Sequence, residues 1–205
     1  STVPVVIGAI EVSTGRYRVV AELDFHVHHA VFVDNDSILL NHIRGGMGMW
    51  RMGMDGRALG TLRPADAHGA TCHQSVTANG IWYETINWNA TPRTWLGRVD
   101  LKTGAWQEFA VPQPGYVHVG HDPAGKAAFY EIDGSSHDLV RVHEPFDDQR
   151  RRFETLCTLE PYPPHTGGQR YHAHPFLGPA GDWVYHTSVV RGVSQVAAVE
   201  LEAGA

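Results

Sequence analysis

Two histidines stand one residue apart near the C-terminal end of the sequence, in the stretch GGQRYHAHP at residues 167–175. Imidazole nitrogens bind Zn, Cu, Fe and Ni, and an oxygen ligand such as the amide of Gln169 shifts the preference towards harder ions such as Mn. On a β-strand, His172 and His174 would share one face because side chains alternate with a period of two. The spacing is compatible with a metal site, and the competing interpretation is a turn that happens to hold two histidines.

Four of the 14 histidines recur at one offset from a turn residue, and each precedes a hydrophobic strand, a turn and a second strand. They are His29, His73, His118 and His174, which lie seven residues before Asp36, Gly80, Gly125 and Gly181. Successive members of the set are 44, 45 and 56 residues apart. A repeated histidine at a fixed place in a repeated unit indicates one position in a repeat architecture.

The elements around these histidines read as β-strands throughout, and helical signals are nearly absent. A second class of hairpin falls between the histidine units, in GAIEVSTGRYRVV, MWRMGMDGRALGTL and GRVDLKTGAWQEFA. Four strands in about 45 residues is the size of a propeller blade. We therefore predict an all-β fold, a β-propeller with about four blades in a single domain over residues 1–205, as part of a larger propeller. A β-sandwich, the alternative, does not predict a histidine at the same offset in every unit.

The first strand of each propeller blade lines the central channel, so matched positions in successive blades converge on the axis. Convergence would place His118, His172 and His174 together, with Gln169 as a fourth ligand and an open position for water or substrate. This set contains no carboxylate, so an ion held by it would keep its full charge and suit an anionic substrate. A cupin-type site is disfavoured, because a cupin needs a glutamate soon after the two histidines and the nearest downstream glutamate is Glu200. His121 is assigned to an exposed turn.

Composition excludes several classes of function. The 205 residues are 42% hydrophobic and 19% charged, and the net charge of −6 argues against a nucleic-acid partner. No run approaches the roughly 18 apolar residues of a membrane span. Cys72 and Cys157 form no CxxC pair, so we expect no disulfide and a reducing, cytoplasmic location. Blade faces left open by an incomplete ring would invite self-association.

Nearly the whole sequence resembles the C-terminal half of the oligogalacturonate lyases of polysaccharide lyase family 22. The resemblance is carried by QRYHAHPFLGPAGDWVYHTSVVRGVSQVAAVEL, ATCHQSVTANGIWYET, HVGHDPAGK, MWRMGMDG and AELDFHVHHAVFVDNDSILLNH. It implies a seven-bladed β-propeller and β-elimination on short galacturonate chains, mainly unsaturated digalacturonate, with a manganese ion. By position, it implies that His118, Gln169, His172 and His174 hold the metal and that His73 is the Brønsted base.

The residue types suit this reaction. The proton at C5 of a uronate lies α to a carboxylate, and a metal at that carboxylate stabilises the negative charge that develops when the proton leaves. A neutral imidazole with a pKa near its ordinary value of about 6.5 is a suitable base. We therefore expect a small acidic oligosaccharide as the partner.

One departure from the family pattern concerns an arginine that the resemblance implies beside the substrate carboxylate. Gly48 stands at its place, and Arg44 in the Gly-rich segment HIRGGMGMW is the candidate that could replace it. Two alternatives stay open beside the lyase: a non-catalytic, TolB-like propeller that binds sugar acids, and a different metal enzyme on the same scaffold, such as a lactonase.

Overall fold

The computed structural model describes residues 4–42, 48–64, 69–87, 89–112, 118–132, 137–160 and 172–202. Within these ranges it contains seventeen β-strands and no helix. The strands are β1 (Val5–Ile10), β2 (Tyr17–Leu23), β3 (Val27–Asp34), β4 (Ser37–His42), β5 (Met49–Gly53), β6 (Ala58–Arg63), β7 (Ala70–Thr77), β8 (Gly80–Ile86), β9 (Thr94–Val99), β10 (Trp106–Ala110), β11 (Val119–His121), β12 (Ala127–Glu131), β13 (Asp138–His143), β14 (Arg152–Thr158), β15 (Phe176–Leu177), β16 (Trp183–Val190) and β17 (Val193–Glu200).

The strands form five antiparallel sheets that follow one another along the chain, as the all-β propeller prediction requires. Three sheets have four strands each, β3–β6, β7–β10 and β11–β14, and each runs in sequence order from its inner to its outer strand. A two-stranded sheet, β1–β2, precedes them, and a three-stranded sheet, β15–β17, follows them. The predicted second-class hairpins are present as β1–β2, β5–β6 and β9–β10. The chain is a β-propeller in which the three four-stranded sheets are full blades and the first and last sheets are parts of blades.

The second strand of each full blade is buried on both faces, and its alternate residues pack against different neighbours. Ile38 and Leu40 pack towards the β1–β2 sheet, whereas Leu39 packs towards the β7–β10 blade. Trp82 and Phe129 make the corresponding contacts further along the chain. Because side chains of a strand alternate between faces, one short strand contributes to two separate cores. Four such cores hold the five sheets in series.

The outward faces of the first and last sheets carry apolar side chains that are exposed. Val6 and Val19 of the β1–β2 sheet are each 49% exposed, and Val196 of β17 is 78% exposed. Exposed apolar surface of this kind marks a place where another surface can pack. In the described part of the chain, no helix is long and apolar enough to cross a membrane.

The inner strands of successive blades lie side by side. β3 contacts β7, β7 contacts β11, and β11 contacts β15. The approach of β11 to the chain before β15 is close, because a Cβ on Gly120 would meet the carbonyl oxygen of Pro175. Glycine at this position lets the two inner segments come together, and the segment that carries His172 and His174 is held there.

We predict that Gly120→Ala lowers the free energy of unfolding by about 1–3 kcal/mol, because the added methyl group meets backbone that cannot move without separating two blades. Gly178→Ala is the matched control, since a Cβ there first meets the ring edge of Tyr185 at 2.9 Å, and this side chain can rotate away. Urea unfolding measured by tryptophan fluorescence compares the two variants. Equal stability of both variants would contradict the close approach.

Candidate functional site

Histidines from four successive blades form a continuous row along the inner strands. The centroid of the His73 ring lies 5.3 Å from that of His29 and 4.6 Å from that of His118. The His118 ring in turn lies 4.5 Å from His172 and 4.1 Å from His174. The sequence offset shared by His29, His73, His118 and His174 therefore predicted which of these rings lie next to one another.

The backbone at three of these histidines is left-handed. The φ angles are 49° at His29, 47° at His73 and 43° at His174. The regular pairing of β3 with β4 and of β7 with β8 is interrupted at His29 and at His73. A bulge re-aims a side chain, and a left-handed residue other than glycine costs roughly 1–2 kcal/mol. Strain of this kind is concentrated at functional sites.

His172 and His174 differ from the prediction in one respect, because neither lies on a strand. Both precede β15, which begins at Phe176. Their rings are not two neighbours on one strand face, and their centroids are 6.2 Å apart at an angle of 78°. They converge on His118 from an irregular segment whose direction changes at the left-handed His174.

A buried carboxylate lies behind two of the three converging rings. Glu131 on β12 is fully buried, and its Oε1 is 2.6 Å from Nδ1 of His118 and 2.9 Å from Nδ1 of His172. Its Oε2 accepts a hydrogen bond from the backbone N–H of Ala173. A carboxylate that binds Nδ1 of an imidazole fixes the ring and leaves Nε2 on the opposite side for a metal.

Glu131 corrects the expectation of a site without a carboxylate. Ligand atoms of His118, Glu131 and His172 lie within 4.8 Å of one another, and because Glu131 bonds the two Nδ1 atoms it would support the ligands of an ion bound at Nε2 without being a ligand itself. Burial lowers the pKa of His118 and the bond to Glu131 opposes that shift. The net direction keeps the His118 ring neutral, and a metal requires the neutral ring.

His73 occupies the matched position in the preceding blade and has its own buried acid. Its Nδ1 lies 2.5 Å from Oε2 of Glu84, which is on β8 and fully buried. Burial lowers the pKa of His73 to about 4, against the negative charge of Glu131, which raises it. The expectation of a pKa near its ordinary value was therefore wrong, because the ring is largely removed from water. His73 is neutral at pH 7, the form that accepts a proton.

Neither acid, Glu84 or Glu131, was predicted from the sequence as a site residue. Each is the only charged residue in a strand that is otherwise buried, in GIWYETI and in AAFYE. They follow the matched histidines His73 and His118 by 11 and 13 residues. In the preceding blade, Asn41 stands 12 residues after His29 and bonds Gln74 instead of a histidine. A polar residue at this offset on the second strand was the available signal.

Of the remaining residues named from the sequence, two lie outside the described residues and one differs from its predicted place. Arg44 and Gln169 lie outside the described residues. Gly48 lies immediately before β5 and is partly buried. The assignment of His121 to an exposed turn was wrong, because His121 ends β11, bonds Oγ of Ser75 through Nδ1 and packs edge-on against Trp82 at 5.5 Å.

The sequence matches no family model and no curated protein. Among solved structures, the chain is similar to an oligogalacturonate lyase in complex with manganese, with a TM-score of 0.79 and 13% identity over 96% of this chain and 54% of that one. It is similar to the oligogalacturonate lyase of Vibrio parahaemolyticus, with a TM-score of 0.77 and 16% identity over 95% of this chain and 54% of that one. The putative TolB of Agrobacterium tumefaciens gives a TM-score of 0.67 and 17% identity over 98% and 67%.

These likenesses show the β-propeller fold. The chain spans about half the length of the two lyases. Lyases and TolB propellers share the fold, so the activity depends on the residues in the channel.

We predict that acid destabilises the protein through its buried neutral histidines. Burial, with a smaller contribution from His73, lowers the pKa of His121 to about 3. In the unfolded chain this ring takes up a proton near pH 6.5, whereas the folded protein takes it up only near pH 3. The stability contributed by the neutral ring is therefore complete above pH 6.5 and is lost as the pH falls towards 3.

Removing this ring by His121→Gln should reduce the slope of the unfolding free energy against pH by about 1.4 kcal/mol per pH unit between pH 6 and pH 4. Urea unfolding at pH 7, 6, 5 and 4 for the wild type and the variant measures both slopes. Parallel slopes would contradict the burial of a neutral His121.

Proposed function

We propose that the chain carries the catalytic half of a metal-dependent uronate lyase, which cleaves short oligogalacturonates by β-elimination. The observation that carries the proposal is the convergence of His118, His172 and His174 in front of buried Glu131, next to the neutral imidazole of His73. The similarity of the fold to an oligogalacturonate lyase in complex with manganese supports it.

The residues fit a divalent metal. Glu131 bonds Nδ1 of two imidazoles at once, which is the usual arrangement behind metal-binding histidines, and burial keeps His118 neutral. His118, His172 and His174 would hold the ion, with Gln169 as the fourth ligand that the resemblance implies. When bound, a Mn²⁺-type ion would stabilise the negative charge that develops beside the uronate carboxylate.

His73 would take the proton from C5 of the uronate. The C5–H electron pair then forms the C4–C5 double bond as the bond from C4 to the leaving oxygen O4 breaks, which gives a 4,5-unsaturated uronate. Because its pKa is about 4, His73 is neutral and ready to accept the proton over the whole neutral range. Its ring touches that of His118, so the proton acceptor and the metal site would face the same sugar.

A second candidate is a propeller that binds sugar acids without cleaving them. Gly48 stands where the resemblance implies an arginine for the substrate carboxylate, and TolB propellers share the fold. Arg44 is the residue that would supply the missing charge in the lyase. Binding of digalacturonate without formation of an unsaturated product would favour this second candidate.

We predict that His73→Ala lowers kcat on digalacturonate with Mn²⁺ by about 10²–10⁴-fold, because a positioned general base contributes that much. The assay follows the ultraviolet absorbance of the unsaturated uronate. His143→Ala is the matched control, because His143 lies on β13, the third strand of its blade, where it bonds Glu154 of the outer strand β14. Wild-type protein that binds Mn²⁺ and gives no absorbance would contradict the lyase.

We also predict that Glu131→Gln weakens Mn²⁺ binding by about 10–100-fold, because the amide carries no negative charge behind the imidazoles and its NH₂ group cannot accept from the backbone N–H of Ala173. Calorimetric titration of the protein with Mn²⁺ gives the affinity. Glu154→Gln removes the acid of another His–Glu pair, at 2.7 Å from His143, and should leave the affinity unchanged. Equal affinities for wild type and Glu131→Gln would exclude Glu131 from the metal centre.

A further inference from the structure

We propose that Glu84 is the positioning residue of His73: its buried carboxylate holds the hydrogen of the ring on Nδ1 and leaves Nε2 to accept a proton. The second half of this statement rests on the proposed function. The first half concerns only the state of one imidazole and can be tested without a substrate.

The pairing of β7 with β8 brings the two side chains together. Cys72 pairs with Glu84 and Ser75 pairs with Trp82, so His73 and Gln74 are the two residues of β7 left out of the ladder. His73 has a φ of 47° at this bulge, and its ring reaches Glu84 on the neighbouring strand. The strained backbone and the contact between Nδ1 and Oε2 are therefore two aspects of one local arrangement.

The contact is short and shielded from water. Nδ1 of His73 lies 2.5 Å from Oε2 of Glu84, and the Glu84 side chain has no exposed surface. Burial and the charge of Glu131 raise the pKa of Glu84 well above its ordinary value, whereas a hydrogen bond from Nδ1–H of His73 stabilises the charged carboxylate. A bond from Nδ1–H to a charged carboxylate is about twice as strong as one between neutral groups, so it favours one tautomer of the ring.

Within the described residues, the Glu84 side chain hydrogen-bonds His73 of its own blade and no residue of a neighbouring blade. Its second oxygen, Oε1, has no hydrogen-bond partner among these residues. Glu131, by contrast, bonds His118, His172 and Ala173 and so links parts of two blades. A carboxylate kept only to join blades would be expected to make contacts like those of Glu131.

The same arrangement occurs in the next blade. Glu131 follows His118 by 13 residues, as Glu84 follows His73 by 11, and each acid contacts Nδ1 of its histidine from the second strand. In the preceding blade the matched residue is the uncharged Asn41, and its side chain bonds Gln74 and the carbonyl oxygen of Thr71. Acids thus stand behind His73 and His118, which both have a role in the proposed function, whereas the matched His29 has none.

Two proton positions are distinguishable. If Glu84 is a carboxylate, His73 carries its hydrogen on Nδ1 and Nε2 has the lone pair. If Glu84 itself held a proton and donated it, His73 would carry hydrogen on Nε2 and could not act as a base there. Long-range proton–nitrogen correlation spectra of ¹⁵N-histidine-labelled, metal-free protein at neutral pH separate the two forms. A His73→Asn sample identifies the His73 signals.

We expect wild-type His73 to be the Nδ1–H form and Glu84→Gln to reduce or reverse that preference, because the amide can donate to Nδ1. An Nε2–H ring in the wild type, or a ring unchanged in Glu84→Gln, would overturn the proposal, as would an Nδ1 signal typical of a metal-bound nitrogen. Glu154→Gln is the matched control and should leave the His73 signals in place. If Glu84→Gln does not fold, the wild-type spectrum alone decides.

Steady-state kinetics test the second half of the proposal, in which Nε2 of His73 accepts the proton. With Mn²⁺ and digalacturonate, Glu84→Gln should lower kcat by about 10²–10⁴-fold with little change in KM or in Mn²⁺ affinity, because only the proton acceptor is misplaced. A rise in KM with an unchanged kcat would overturn the role in proton transfer. An Nδ1–H ring that is lost in Glu84→Gln, in a protein with no lyase activity, would support the positioning role and contradict the proposed function.

Discussion

The packing of blade on blade is the constraint on which the rest of this structure depends. Each blade is a twisted sheet with two apolar faces, and neither face can be buried within one blade. Alternate residues of each second strand face opposite neighbours. Leu39 packs in one core, whereas Ile38 and Leu40 pack in the other. Once the faces are stacked, the inner strands have to lie side by side around an axis. The row of channel histidines is a geometric consequence of this stacking.

The channel itself is polar: Glu84, Glu131 and His118 are buried, whereas His29 and His174 are exposed. Two buried acids, Glu84 and Glu131, lie in adjacent blades, and the charge of Glu131 adds to burial in raising the pKa of Glu84 well above its ordinary value. Burial acts in the opposite direction on the imidazoles and lowers the pKa values of His29 and His73 to about 4. The rings are therefore kept neutral, and an acid lies within reach of Nδ1 of His73 and of His118, whereas Nδ1 of His29 accepts from the backbone N–H of His73. Neutral imidazoles next to buried acids are suited to holding a cation or accepting a proton.

Much of the fold could be predicted from the sequence because blades are local. Turn residues such as Asp55 and Gly56 mark hairpins, and the repeated offset of His73 and His118 marks equivalent positions. The remainder depends on features that the offsets do not encode. The bulge at His73 shifts the register of β7 against β8, and the segment before β15 replaces the strand that period-two spacing suggested for His172.

The two acids escaped the sequence analysis for a related reason. Glu84 and Glu131 sit in strands whose other residues are buried, and a charged residue in such a strand is usually taken as its exposed edge. Only the three-dimensional pairing shows that each acid faces an imidazole from the strand beside it. Arg44 and Gln169 remain predictions, since they lie outside the described residues.

The left-handed backbone at His29, His73 and His174 lowers folding stability at three positions that supply imidazoles to the channel. Glycine adopts that backbone at no steric cost, whereas histidine gives up about 1 kcal/mol or more at each place. Selection for a more robust scaffold would therefore replace these histidines by glycine, and each replacement would delete one imidazole from the channel. Histidine kept at all three positions would therefore indicate selection for the imidazoles, whereas glycine at these positions would give a more stable propeller without them.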